Sequence, residues 1–185
     1  MFNLEVFIDK YVTKRPKSMF LQDICNNSDI LNKKIAGKTA LVIGGAGSIG
    51  ASFIKAVLAY KPKRLVVVDT NENALAELTR DLRSTKGMYV PDSYITYPMD
   101  FASPVFKKMF INYGGFDIVG NFSAHKHVRS EKDIYSVEAL LKNNVLHAKL
   151  LLDLLSEYPP EEYFCVSTDK AANPVNIMGA SKRIM

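Results

Sequence analysis

The chain has 185 residues, 48% of them hydrophobic and 23% charged, with 24 basic against 19 acidic side chains and a formal net charge of +5. That balance belongs to an ordinary folding domain and excludes a disordered or collagen-like chain. No apolar run approaches the roughly 18 residues of a membrane span, charged residues come too early for a secretory signal peptide, and interspersed charges give no basic face for nucleic acid. Cys25 and Cys165 have no metal-ligand spacing. Both are expected as free thiols in a reducing, cytoplasmic setting.

Residues 1–37 carry scattered apolar positions and a polar Asn-Asn-Ser-Asp turn, and read as short helices that pack on something, closing at Ala36-Gly37. From Lys38 the pattern is regular. Residues 39–43 form an apolar run of strand length, and a helix is predicted over 49–60, with Phe53, Ala56, Val57 and Tyr60 at helical spacing and Pro62 as its stop. A second strand over 65–68 leads to Asp69, and a helix over 72–82 ends before Gly87 and Pro91. Then come a third strand at 94–97, a short helix at 104–113, a fourth strand at 116–119, a long helix at 137–157 and a fifth strand at 163–166. Apolar strands alternating with helices predict a parallel sheet covered on both faces, with right-handed crossovers.

The first strand runs into Gly44-Gly45-Ala46-Gly47-Ser48-Ile49-Gly50. A tight turn, close backbone approach to a pyrophosphate and a helix starting against the strand all demand residues without a Cβ. The helix N-terminus then offers free N–H groups to phosphates. Asp69 ends the next strand 19 residues after Gly50, the spacing of a carboxylate for the adenine ribose. A ligand-free turn and a capping aspartate are the plain alternatives; the coincidence of strand, glycines, helix and acid favours binding. Asp69 favours NAD, since a carboxylate repels a 2′-phosphate, while Arg80 and Arg83 pull the other way, so the cofactor stands as NAD or NADP. The expected fold is α/β: a Rossmann-type doubly wound parallel sheet with helices on both faces, over residues 38–185, behind an N-terminal helical extension at 1–37.

The stretch from Val166 to Arg183 reads V-S-T-D-K-A-A-N-P-V-N-I-M-G-A-S-K-R and starts where a parallel strand ends, the place where ligands bind in open α/β sheets. It resembles the polysaccharide-biosynthesis branch of the extended short-chain dehydrogenase/reductase family, which holds UDP-N-acetylglucosamine 4,6-dehydratases and related nucleotide-sugar dehydratases and epimerases. The glycine loop, Asp100-Phe101 and Ala124-His125-Lys126-His127-Val128 fit the same branch, so the likeness covers residues 35–185. It implies a cofactor set of Gly44, Gly47, Ser48, Ile49, Gly50, Asp69, Asp100, Phe101, Ser123 and Lys182, and substrate contacts from Lys126 and Asn176. Thr168, Asp169, Lys170, Met178 and Lys182 are implied at the catalytic centre.

Met178 stands where the family's Y-x-x-x-K has its tyrosine, and a thioether has no proton to exchange. Thr168, Lys170 or a water is left to deprotonate the sugar C4 hydroxyl. Ile43 and Asn121 are smaller departures. Asp169 matches the acid for the departing C6 hydroxyl and Lys170 the base for the C5 proton, each needing a pKa moved toward neutrality by burial and by the other's charge. On residue type alone the pair also reads as an ion pair at a strand end. The implied reaction moves hydride from C4 to the nicotinamide, expels water across C5–C6 and returns hydride to C6. His125 and His127, two residues apart with no third ligand, give no metal site, and His147 reads as a structural residue within the long helix. Family members continue beyond Lys182 with a substrate-binding part, so the chain is expected to be truncated and inactive alone, and a homo-oligomer taking a UDP-sugar when full length. A nucleotide-sugar 4-epimerase and a non-catalytic NAD-binding module remain the alternatives.

Overall fold

The computed structural model describes residues 4–14, 19–125 and 131–185. They form two compact units, Met1–Lys34 and Ile35–Met185. The first holds α1 (Leu4–Phe7), a π-helical turn (Ile8–Val12), α2 (Leu21–Asn26) and α3 (Ser28–Ile35). Its short helices leave Val12, Met19, Phe20 and Ile24 exposed. Ile35, the last residue of α3, belongs to the second unit and packs against that unit's core. Gly37 makes the expected turn with φ +70°.

The second unit runs β1 (Thr39–Ile43), α4 (Ser48–Leu58), β2 (Arg64–Asp69), α5 (Glu72–Ser84), β3 (Ser93–Pro98), α6 (Pro104–Asn112) and β4 (Ile118–Asn121). It continues with α7 (Ile134–Leu141), a π-helical stretch (Lys142–His147), α8 (Ala148–Glu157), β5 (Glu162–Cys165), a 3₁₀ turn (Asp169–Ala171) and α9 (Ile177–Ile184). The strands lie in the order β3-β2-β1-β4-β5, all parallel. The continuous apolar strands serve both faces. Leu41, Ile43, Val66 and Val68 pack with α6 and α8, while Ala40, Val42, Leu65 and Val67 pack with α4 and α5. Strand order reverses between β1 and β4, which opens a crevice at their carboxyl ends. Among the described residues no helix is long and apolar enough to cross a membrane.

Most boundaries shift by one or two residues from expectation. β4 starts at Ile118, not at Phe116: Phe116 is a buried core ring, and the Asp117 carboxylate accepts from the Thr39 amide at 2.7 Å and hydroxyl at 2.8 Å, pinning the strand entry before the ladder begins. The long helix starts at Ile134 because Asp133 accepts from the Tyr135 and Ser136 amides, each at 2.9 Å. It is also interrupted by the π-helical stretch, which the apolar periodicity spans without a sign. β5 sits one residue earlier than predicted, at Glu162–Cys165.

Burial pushes the half-buried Tyr163 phenol up to about 12. Burial also raises Tyr94, and burial with the Tyr97 hydroxyl at 3.0 Å raises Tyr113. These phenols hold their protons more tightly folded than unfolded. Their stabilisation is complete below about pH 10 and is lost as pH rises toward 12. With its half-exposure discounted, Tyr163 contributes on the order of 1 kcal/mol. Urea midpoints followed by circular dichroism should fall between pH 10 and 12, and Tyr163→Phe should flatten that fall. An unchanged slope in the variant would show that Tyr163 does not carry it.

Candidate functional site

The loop after β1 is held by backbone. The Gly44 amide donates to the Val68 carbonyl at 2.7 Å; Gly44 has φ +70°, and a Cβ on it would meet the Ser123 nitrogen at 2.6 Å. On Gly50 a Cβ would meet the Gly44 carbonyl oxygen at 2.5 Å, and on Gly45 the Val67 side chain at 2.4 Å. Gly47 differs. It caps α4 with φ −71° and ψ 162°, a conformation open to any residue, and its nearest neighbour, the Gly44 carbonyl oxygen, is 3.5 Å from a built Cβ. Neither backbone nor packing demands glycine there, and the space beside it is open to a ligand. No side chain caps α4, which leaves its first N–H groups for a phosphate.

Beside this loop lies a cleft of about 480 Å³ lined by Gly44, Gly47, Asp69, Asp100, Phe101 and Ser123, six of the expected cofactor residues. Asp69 accepts from the Ala46 amide at 3.1 Å and the Asn71 amide at 3.0 Å. Its carboxylate is thereby keyed to the loop, and the cap of α5 is Asn71, not Asp69. Ala139, Lys142, Asn143 and His147 form the far wall. His147, expected as a structural residue within the long helix, packs on Phe101 and also lines this cleft.

A second cleft of about 420 Å³ continues from the first, sharing Phe122 and Ala124, and is lined by Ile49, Ser167, Thr168, Lys170, Met178 and Lys182. Lys182 is 7% exposed, and its ammonium donates to the Val166 carbonyl at 2.9 Å. Burial pulls its pKa below the ordinary lysine value. Met178 is 2% exposed. Helix α9 is fixed by three contacts: Asn176 Oδ1 accepts from the Gly179 amide at 2.8 Å, Glu131 accepts from the Met178 amide at 2.7 Å, and Gly179 sits so close that a Cβ would meet the Lys170 carbonyl at 2.6 Å. Asn176, expected at the substrate, has its carbonyl oxygen committed to this cap.

Sequence reasoning missed Asn144. Buried within the π-helical stretch, it accepts from the His125 amide at 2.9 Å and donates to the His125 carbonyl and Ser181 Oγ, each at 3.0 Å. It thereby ties the loop after β4 to α9. An asparagine inside a helix, where it is disfavoured, was the available signal.

Asp169 departs from the expected chemistry. It is exposed and does not line the cleft. The Thr168 hydroxyl at 2.8 Å, then the Lys170 amide at 2.9 Å and the Lys170 charge, hold its carboxyl below the usual carboxylate range, opposite to the expected shift. Ser48 and Ile49 are exposed at the start of α4, with Ile49 in the second cleft. Lys126 and His127 lie outside the described residues. Among those described, no group of three or more His, Cys, Asp or Glu side chains is placed to hold a metal.

Two adjoining clefts, one with an acid for a ribose and one with a buried lysine, flanking a loop with room for a pyrophosphate, fit a dinucleotide lying across the switch point. Comparison with known proteins gives the same direction. Residues 40–185 match the family model described as polysaccharide biosynthesis protein. An uncharacterized membrane protein of Methanocaldococcus jannaschii is 36% identical over 78% of this chain and 40% of its own length. An inverting UDP-N-acetylglucosamine 4,6-dehydratase of Campylobacter jejuni is 30% identical over 79% of this chain and 41% of its own. The chain thus spans about two fifths of these relatives. Among solved structures, Pen from Bacillus thuringiensis shares the fold, with a TM-score of 0.70 at 23% identity over 81% of this chain and 44% of that one.

Proposed function

The chain belongs to the polysaccharide biosynthesis protein family, and on that premise we propose that it is the NAD- or NADP-binding part of a nucleotide-sugar 4,6-dehydratase acting on a UDP-N-acetylhexosamine. One observation carries the reading: Lys170 shares a cleft with Thr168, Met178 and Lys182. A 4-epimerase needs a base at C4 and no second amine beside the reacting carbons, whereas elimination across C5–C6 does. The likeness to the Campylobacter dehydratase supports the same choice.

When bound, the nicotinamide accepts a hydride from C4 and returns one to C6. The remaining work falls to the chain. The first N–H groups of α4 hold the diphosphate, and Asp69 keeps lone pairs for the ribose hydroxyls. Thr168 donates to Asp169 at 2.8 Å, which leaves its own lone pairs to accept from the C4 hydroxyl. Met178 is an apolar wall. Lys170 takes the C5 proton and Asp169 protonates the departing C6 hydroxyl. A carboxylate with an ammonium and the neutral acid–base pair the chemistry needs differ by one proton passed between neighbouring side chains. Covering by substrate favours the neutral pair, because a dry site penalises both charges. Elimination itself leaves Lys170 protonated and Asp169 ionised; the Lys170 ammonium gives its proton back to C5 as hydride returns to C6, and the proton that the C4 hydroxyl gave up to water replaces the one Asp169 spent. The protein is further proposed to self-associate when full length.

The test is product analysis with UDP-N-acetylglucosamine on the longest reading frame containing residues 1–185. A 4-keto-6-deoxy sugar supports the dehydratase. A C4 epimer, or no turnover despite bound cofactor, overturns it.

A further inference from the structure

The helix after β4 does not run straight past the groove. Between α7 and α8 it widens into the π-helical stretch Lys142–His147, a distortion that recurs at functional sites. Asn144 turns inward from it to Ser181 and His125, while His147 joins the wall of the first cleft. The imidazole stands edge-on to the Phe101 ring, with centroids 5.8 Å apart and planes at 84°, so its orientation is fixed by packing. Its Nδ1 is buried and has no hydrogen-bond partner among the described residues. Asp100 Oδ1 lies 3.7 Å away, just beyond hydrogen-bond reach, and accepts from the Ala102 amide at 2.8 Å. Buried polar atoms in folded proteins are almost always satisfied. An open nitrogen in a ligand cleft, aimed at a carboxylate that lines the same cleft, marks a network that the ligand completes.

We propose that His147 is a positioning residue of the adenine subsite: its Nδ1–H closes onto Asp100 as the base enters, and protonation of the imidazole strengthens binding of an anionic dinucleotide. This rests on the dinucleotide reading of the groove. In the closed arrangement Asp100 is oriented to accept from the exocyclic amine of adenine, and the imidazolium adds positive charge to a cleft that already holds two carboxylates. The charged and titratable groups around it are Asp100 after β3, Asp69 at the end of β2, His125 after β4 and Lys142 on its own helix. Lys182 of α9 turns instead to the Val166 carbonyl. Between pH 8 and 5.5 imidazoles change charge while ordinary lysines and carboxylates do not, so the dependence belongs to the chain's three histidines, which substitution can separate.

Calorimetric titration of ADP-ribose into this chain is the test. Affinity should rise roughly tenfold as pH falls from 8 to 5.5, the effect of one charge-assisted hydrogen bond. His147→Gln keeps a donor but no titratable charge, and should bind within about twofold of wild type at pH 8 with no pH slope. His125→Gln and His127→Gln should keep the slope, and Asp100→Asn should lose it. A purely structural histidine would shift affinity without altering its pH dependence. An unchanged slope in His147→Gln, or one that vanishes with His125 or His127, overturns the proposal. Gly47→Ala, whose methyl meets nothing closer than 3.5 Å, separates the two levels. If it weakens ADP-ribose binding while His147→Gln titrates like wild type, only the His147 role falls. If it leaves binding intact, or wild type binds nothing, the groove reading falls and the His147 role with it.

Discussion

Gly47→Ala is expected to leave the fold intact and to weaken dinucleotide binding about a hundredfold, while Gly50→Ala is expected to lose both fold stability and binding. The two glycines sit three positions apart, and the difference between them is geometric. A methyl on Gly50 would lie 2.5 Å from the Gly44 carbonyl oxygen and 2.7 Å from the Gly45 Cα. Both are backbone atoms of the tight turn, which cannot rotate away as a side chain does. Overpacking of this kind costs roughly 1–3 kcal/mol, and relief of the clash opens the loop itself. A methyl on Gly47 meets nothing closer than 3.5 Å and needs no unusual dihedral. Urea unfolding of Gly47→Ala should therefore match wild type within about 0.5 kcal/mol. Its methyl instead stands in the space over the bare start of α4, where a pyrophosphate approaches the backbone. A hundredfold loss corresponds to about 2.7 kcal/mol, within reach of displacing a phosphate from two N–H donors. Titration of NAD and NADP into both variants checks this. Unchanged affinity in Gly47→Ala would show that the space is not the ligand's.

The same contrast explains what was legible in the sequence. Glycines 44, 45 and 50 answer to backbone and strand neighbours, while nothing within the chain demands glycine at 47, yet all four read as one motif in the sequence. The strands were legible for a similar reason, since apolar runs such as Leu65 to Val68 feed both faces of the sheet. The start of β4 was not. Phe116 is apolar and extends the run, but its place is set by Asp117 reaching across to Thr39, 78 residues earlier. The π-helical stretch was equally hidden: within it Asn144 meets both His125 and Ser181, contacts that span distant parts of the chain and leave no sign in the apolar periodicity. The state of Asp169 depends on which neighbours donate to it, and residue type alone does not fix that.

The second large effect concerns elimination. In the longest reading frame containing this chain, Lys170→Ala and Asp169→Asn should each lower dehydration by about 10²–10⁴-fold, the usual worth of a positioned proton transfer, while NAD or NADP still binds. The two variants should then part company. Lys170 lines the cleft with Thr168 and Lys182, so its loss removes the group that takes the C5 proton, and exchange of deuterium at C5 should stop. Asp169 lies at the margin, tied to the Thr168 hydroxyl and the Lys170 amide. Its amide variant still permits C5 exchange but cannot protonate the C6 hydroxyl, so exchange should outlast dehydration. C5 exchange continuing at the wild-type rate in Lys170→Ala would remove Lys170 from the mechanism. Parallel loss of exchange and dehydration in Asp169→Asn would instead assign both proton transfers to one coupled pair.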